Sequence, residues 1–135
     1  MKIVATSGYF DPLHVGHLEY LEMAKKLGDK LIVIVNSDLQ ANLKKGKPFM
    51  KEKDRIKIVG ALKCVDEVFL SIDKDKSQCA SLSFLKPDIF AKGGDRSSDE
   101  IPESKVCKEF NIKIIDGLGA KIRSSSDLTG LREII

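Results

Sequence analysis

The stretch GYFDPLHVGH, residues 8–17, holds both histidines of the chain, three positions apart, among two glycines, an aspartate and a proline. It follows the short apolar run KIVAT at 2–6, which reads as a buried strand. It leads into a helical pattern at 17–27, where Tyr20, Leu21, Ala24 and Leu27 share one face and Glu19, Glu22, Lys25 and Lys26 take the other. A strand, a glycine-bearing turn and a helix start in that order form the βα unit whose turn accepts phosphate, because unpaired amides and the positive end of the helix dipole face an anion there. His14 before the helix and His17 in its first turn are spaced to aim imidazole donors at one phosphate, and two satisfied histidines at a helix start are the alternative. Gly8 and Gly16, without Cβ atoms, leave room for close approach. Neither GxGxxG nor GxxxxGK[ST] occurs, so no dinucleotide or Walker fingerprint competes for the turn.

The same alternation continues outward from this unit. Apolar β-rich runs at 31–36, 67–71, 88–92 and 112–116 are separated by helical patterns at 51–62, 77–85 and 102–110, and a last helix is expected at 125–134. Repeated βα units imply a sheet sandwiched by helices, with right-handed crossovers and a ligand site at the carboxyl ends of the strands. The expectation is a single Rossmann-like, doubly wound α/β domain over 1–135, with a five-stranded, mostly parallel sheet.

Composition narrows the function classes. A chain of 135 residues, 42% hydrophobic and 32% charged, has the balance of one soluble domain. It contains no apolar run of the length a membrane helix needs, and MKIVATSG is not a secretory leader, so a cytoplasmic location is expected. The net charge of +3 is spread among carboxylates except at LKKGK, 43–47, which is too short for a nucleic-acid stripe; small anions are the expected ligands. Cys64, Cys79 and Cys107 are far apart with no CxxC pair, so they read as reduced structural thiols.

The opening stretch resembles the GxFDxxHxGH signature of the cytidylyltransferase-like nucleotidyltransferases. Further segments carry the resemblance along the chain: KLGDKLIVIVNSD at 26–38, KDRIKIVGALKCVDEV at 53–68, LKPDIFAKGGD at 85–95 and RSSSDL at 123–128. They are similar to glycerol-3-phosphate cytidylyltransferases and to the nucleotidyltransferase domain of ADP-heptose synthases. The resemblance implies transfer of a nucleoside monophosphate from ATP or CTP, with Mg²⁺ accompanying the triphosphate, to a small phosphorylated sugar or polyol, with pyrophosphate leaving. It also implies a homodimer. A non-catalytic nucleotide-binding module and an FAD synthetase-type adenylyltransferase are the rivals.

Site roles follow from the resemblance residue by residue. His14, His17, Lys44 and Ser125 would carry catalysis. Tyr9, Phe10, Gly16, Lys92, Gly93, Gly94, Asp95, Ser124 and Ser126 would bind the nucleotide, and Asp11, Asp38, Lys47, Arg55 and Lys63 the substrate. Lys44 and Lys47 are expected on a solvated loop that orders as a lid. Ser124 with Asp127 also fits a simple capping box, and Gly93–Gly94 a tight turn. Arg123 stands where relatives have isoleucine, and Lys63 where several have arginine.

Overall fold

The computed structural model describes residues 1–93 and 102–118. The order of elements is β1 (Ile3–Gly8), α1 (Val15–Lys25), β2 (Lys30–Val35), α2 (Asp38–Lys45), α3 (Glu52–Gly60), β3 (Glu67–Leu70), α4 (Cys79–Leu85), β4 (Ile89–Gly93), α5 (Glu103–Glu109) and β5 (Lys113–Leu118). The five strands pair in the order β3-β2-β1-β4-β5, and every pairing is parallel. The order reverses between β1 and β4, so the switch point of the sheet lies at the carboxyl end of β1, where GYFDPLHVGH begins.

Alternate residues of each strand feed two separate cores, as the period of a strand requires. Val4, Leu31, Val33, Val35, Ile89 and Ala91 pack with Leu21 and Ala24 of α1 and Val59 of α3. Ala5, Ile34 and Phe90 point the other way, against Leu82 of α4 and Cys107 of α5. Thus α1 and α3 cover one face and α4 and α5 the other. Tyr20 locks α1 across the sheet centre: its hydroxyl is hydrogen-bonded to the Thr6 hydroxyl and donates to the Ala91 carbonyl at 3.0 Å. Burial pushes that phenol up to about 12.

All five expected strands form, each within two residues of its expected bounds at either end. One helix departs from expectation. Residues 38–45 fold as α2 where a solvated loop was expected. Ser37 and Gln40 make a reciprocal capping box, the Ser37 hydroxyl accepting from the Gln40 amide at 3.2 Å and Gln40 Oε1 from the Ser37 amide at 3.0 Å. Ala41 is fully buried beneath. Gly46, at φ +91, ends the helix in a conformation that disfavours a Cβ. The final helix expected at 125–134 lies outside the described residues.

Candidate active site

The two histidines cap α1 with their own rings. His14 is the N-cap, and its Nδ1 accepts from the Gly16 amide at 3.1 Å. Three residues on, His17 Nδ1 accepts from the His14 amide at 3.2 Å. This is the geometry of a capping box, built from imidazoles in place of a hydroxyl and a carboxamide. The three-residue spacing therefore has a structural cause as well as a chemical use. With both Nδ1 atoms accepting backbone N–H groups, the neutral rings carry their protons on Nε2, the atom that points away from the helix backbone. The rings stack with centroids 3.9 Å apart, and Phe10 meets His17 edge-on at 5.2 Å. Burial, with the neighbouring His14 adding to it, lowers the His17 pKa from 6.5 to about 4.

Phe10 shapes the turn that precedes this cap. It is 2% exposed and sits at φ +53, a left-handed conformation that a bulky residue adopts only where packing holds it. A Cβ on Gly8 would come within 2.7 Å of its ring. Phe10 thus occupies the space that a Cβ on Gly8 would take, and the glycine itself borders the cleft described next. Asp11 turns the loop at 48–50 inward: its carboxylate accepts from the Phe49 amide at 2.8 Å and the Met50 amide at 2.6 Å.

A cleft of about 610 Å³ opens at the carboxyl ends of the strands, bordered by Gly8, Tyr9, Asn36, Lys44, Lys92 and the segment from Asp75 to Gln78. The sequence profile of the cytidylyltransferase-like family matches residues 5–127, which takes in both the histidine cap and this cleft. The chain belongs to the cytidylyltransferase-like family of nucleotidyltransferases.

Relatives of this cytidylyltransferase-like chain include the bifunctional protein HldE of Helicobacter pylori strain Shi470, 44% identical over 113 residues. That match covers 82% of this chain and 24% of the relative. HldE of Nitratiruptor sp. is 39% identical over 122 residues, covering 89% and 26%. The chain thus spans about a quarter of the length of these curated relatives. Among solved structures, a lipopolysaccharide core biosynthesis protein from Thermoplasma volcanium superposes with a TM-score of 0.73 at 32% identity, covering 86% of this chain and 95% of that one. Pantoate-beta-alanine ligase from Francisella tularensis, 19% identical with a TM-score of 0.54, shares the fold; 85% of this chain and 58% of that one are covered.

His14 and His17 are not among the residues that border the cleft; the expected site residues beyond the turn and the histidine cap fall into three groups. Tyr9, Lys44 and Lys92 line the cleft, and Lys44 Nζ lies 4.7 Å from the centre of the Tyr9 ring. Lys44 rides on the last turn of α2, not on a loop, because Gln40 four residues earlier anchors that helix: its Nε2 donates to the carbonyls of Asp75 at 2.8 Å and Ser77 at 3.0 Å. Only Gly46, Lys47 and the residues up to Lys51 remain as loop between α2 and α3. Lys47 is exposed there.

A second group forms the framework beneath the cleft. Arg55, expected to touch a substrate anion, is 0% exposed and donates to the Met50 carbonyl at 2.9 Å, the Tyr9 carbonyl at 2.9 Å, the Asn36 carbonyl at 2.6 Å and Asp38 Oδ1 at 2.7 Å. Its guanidinium is committed to protein before any ligand arrives, so it positions the loops of the site. Asp38 Oδ1 also accepts from the Glu52 amide at 2.9 Å, joining α2 to α3.

The third group is not brought to the cleft or not described. Lys63, expected on a helix, follows the end of α3 at Gly60 and precedes β3. A connection from a covering helix into a parallel strand lies at the amino ends of the strands, opposite the cleft. Gly93 closes β4. Gly94, Asp95, Arg123, Ser124, Ser125 and Ser126 lie outside the described residues.

Sequence reasoning passed over Asn36, Gln40, Gln78 and Glu103, all of them buried polar residues around the cleft. The S-x-x-Q pattern from Ser37 to Gln40 was the legible signal for α2. The others carry no local pattern.

Proposed function

We propose that this chain transfers a nucleoside monophosphate from ATP or CTP to a small phosphorylated sugar or polyol, of the heptose 1-phosphate or glycerol 3-phosphate kind, and releases pyrophosphate. The observation that carries this reading is the imidazole cap at the start of α1, beside the switch point of the sheet. Two imidazole Nε2–H donors and a helix amino terminus within one turn supply the chemistry that a triphosphate calls for. A phosphate oxygen of the acceptor attacks the α-phosphorus in line, the bond to the β-phosphate oxygen breaks, and pyrophosphate departs with that electron pair. No side chain needs to form a covalent bond, so positioning and charge neutralisation supply the rate.

His14 and His17 hold the α-phosphate oxygens as negative charge shifts toward the leaving group. Lys44, on the rim of the cleft, balances the charge of the reacting phosphates. Tyr9, Phe10 and Gly16 shape the turn, Lys92, Gly93, Gly94 and Asp95 the nucleoside side, and Ser124, Ser125 and Ser126 the outer phosphates. Lys47 and Asp11 remain on the acceptor side of the proposal. Among the described residues no group of three or more His, Cys, Asp or Glu side chains is arranged to hold a metal ion. An Mg²⁺ accompanying the triphosphate would be held chiefly by phosphate oxygens and waters. Bound so, the ion supplies charge neutralisation to the triphosphate.

The purified protein is expected to release pyrophosphate with ATP or CTP, tested separately against a panel of sugar and polyol phosphates, one nucleotide being preferred. The similarity to HldE favours a heptose phosphate as acceptor. A melting temperature that rises with nucleotide while no pair releases pyrophosphate would identify a binding module instead.

The same reading includes action in the cytoplasm as a homodimer. No helix among the described residues is long and apolar enough to cross a membrane. β3, four residues long, ends the sheet on one side, and Phe84, 68% exposed, stacks on Phe69 of that strand with Ile72 exposed nearby in sequence. An apolar rim on a sheet edge is commonly covered by a second copy. Light scattering should give twice the chain mass at micromolar concentration; a single-chain mass throughout would remove the dimer.

A further inference from the structure

The wall of the cleft at α4 has no role in the reading above. Lys44, Lys76 and Lys92 contribute positive charge to its lining. At α4 the wall is made of Gln78 and Glu103, both nearly fully buried, and of Asn36 at the end of β2. The amides that begin α4 are already taken. Asp73 accepts from Ala80 at 2.7 Å and Ser81 at 2.9 Å, and the Ser77 hydroxyl accepts from Cys79 at 3.3 Å. No phosphate is invited there. Gln78 is fixed from two directions: its amide N–H donates to Glu103 Oε2 at 2.7 Å and its Nε2 to Asn36 Oδ1 at 2.9 Å. Its Oε1 is buried and accepts nothing among the described residues. A buried carbonyl oxygen without a donor is a standing cost in the free protein that a ligand donor relieves.

We propose that Gln78, braced by Asn36 and Glu103, reads a hydroxyl group of the phosphorylated acceptor through its side-chain oxygen. This rests on the nucleotidyl-transfer reading above and deepens it by naming what the cleft recognises besides phosphate. The ligand chemistry follows from the wall: oxygen acceptors call for hydroxyl donors, and the lysines call for phosphate, a combination that a sugar or polyol phosphate carries in one molecule. Gln78 borders the cleft, and because the terminal torsion of glutamine is broad, turning the amide would offer Oε1 to a ligand donor at the expense of part of the Nε2–Asn36 bond while the backbone stays in place. A nucleoside also bears hydroxyl and amino donors. The acceptor is favoured because the histidine cap begins a helix on one face of the sheet and Gln78 precedes a helix on the other.

The test compares wild type with Gln78→Leu and Gln78→Glu, using heptose 1-phosphate, glycerol 3-phosphate and their monodeoxy analogues as probes. Gln78→Leu should raise KM for the acceptor roughly tenfold, leave KM for the nucleotide within about twofold, and erase the preference for the hydroxylated acceptor over one deoxy analogue. Gln78→Glu, which keeps an oxygen acceptor, should retain part of that preference. A rise in nucleotide KM alone would assign the oxygen to the nucleoside and overturn the proposal. A higher melting temperature with unchanged KM values would make the unpaired oxygen a structural cost only. Were Gln78→Leu not to fold, wild type that binds every deoxy analogue as tightly as its parent would overturn the proposal. Calorimetry of the same sugar phosphates reads the hydroxyl preference even if no pyrophosphate is released, so failure of the reaction and failure of the Gln78 assignment are separate results.

Discussion

Replacing His14 or His17 with alanine is expected to lower kcat by roughly 10² to 10³, the usual consequence of removing one preorganised donor to a transition state, worth about 3 to 4 kcal/mol. The fold should survive, because losing a helix cap costs about 1 kcal/mol. The imidazole capping box complicates a simple alanine test, since each ring both caps α1 and presents an Nε2–H. His14→Asn separates the two roles: asparagine is among the best N-caps, so thermal stability should hold while turnover falls. Full turnover in either alanine variant would reduce the pair to helix caps.

The pH dependence carries a sign that can be checked. Folding holds His17 below its ordinary pKa, so the unfolded chain binds the proton first. The stability due to its neutral ring is fully present above pH 6.5 and is lost as pH falls toward about 4. kcat/KM, which reports the free protein, should therefore show no His17 titration between pH 6 and 8. A limb near pH 6.5 that vanishes in His17→Asn would contradict the neutral-donor assignment.

Arg55 is the second position with a large expected effect, this time on stability. Its guanidinium ties the β1–α1 turn at Tyr9, the end of β2 at Asn36, the loop at Met50 and the start of α2 at Asp38. Arg55→Ala leaves three carbonyls without their donor and the Asp38 carboxylate without its cation. Removing one partner of a fully buried pair costs about 3 to 5 kcal/mol. The Asp38 side chain is 35% exposed, so water rehydrates part of that loss and about 3 kcal/mol is expected. For a domain of this size that is a drop of about 10 °C in Tm. Arg55→Lys should lose most of the same stability, because one ammonium cannot span four acceptors that a planar fork reaches together. A Tm within about 2 °C of wild type for both variants would refute this account and return Arg55 to a role in ligand contact.

The sequence alone determined the alternation of strands and helices, the parallel sheet and the position of the histidine turn at its switch point. These are local properties: apolar period, glycine stops and a turn signature each act within a few residues and agree with one another. The signature also marked the two imidazoles that cap α1. Tertiary structure decided the assignment of the charged residues. Arg55 and Lys63 stand eight positions apart in one segment, yet one is sealed under the site and the other lies toward the amino ends of the strands, because α3 stops at Gly60 and the chain turns back into β3. Gln78 and Glu103, joined through an amide hydrogen bond, are 25 positions apart in sequence, with a helix and a strand between them. Partners brought together only when two crossovers close leave no periodic trace along the chain, and that is why the polar wall of the cleft at α4 was visible only in the fold.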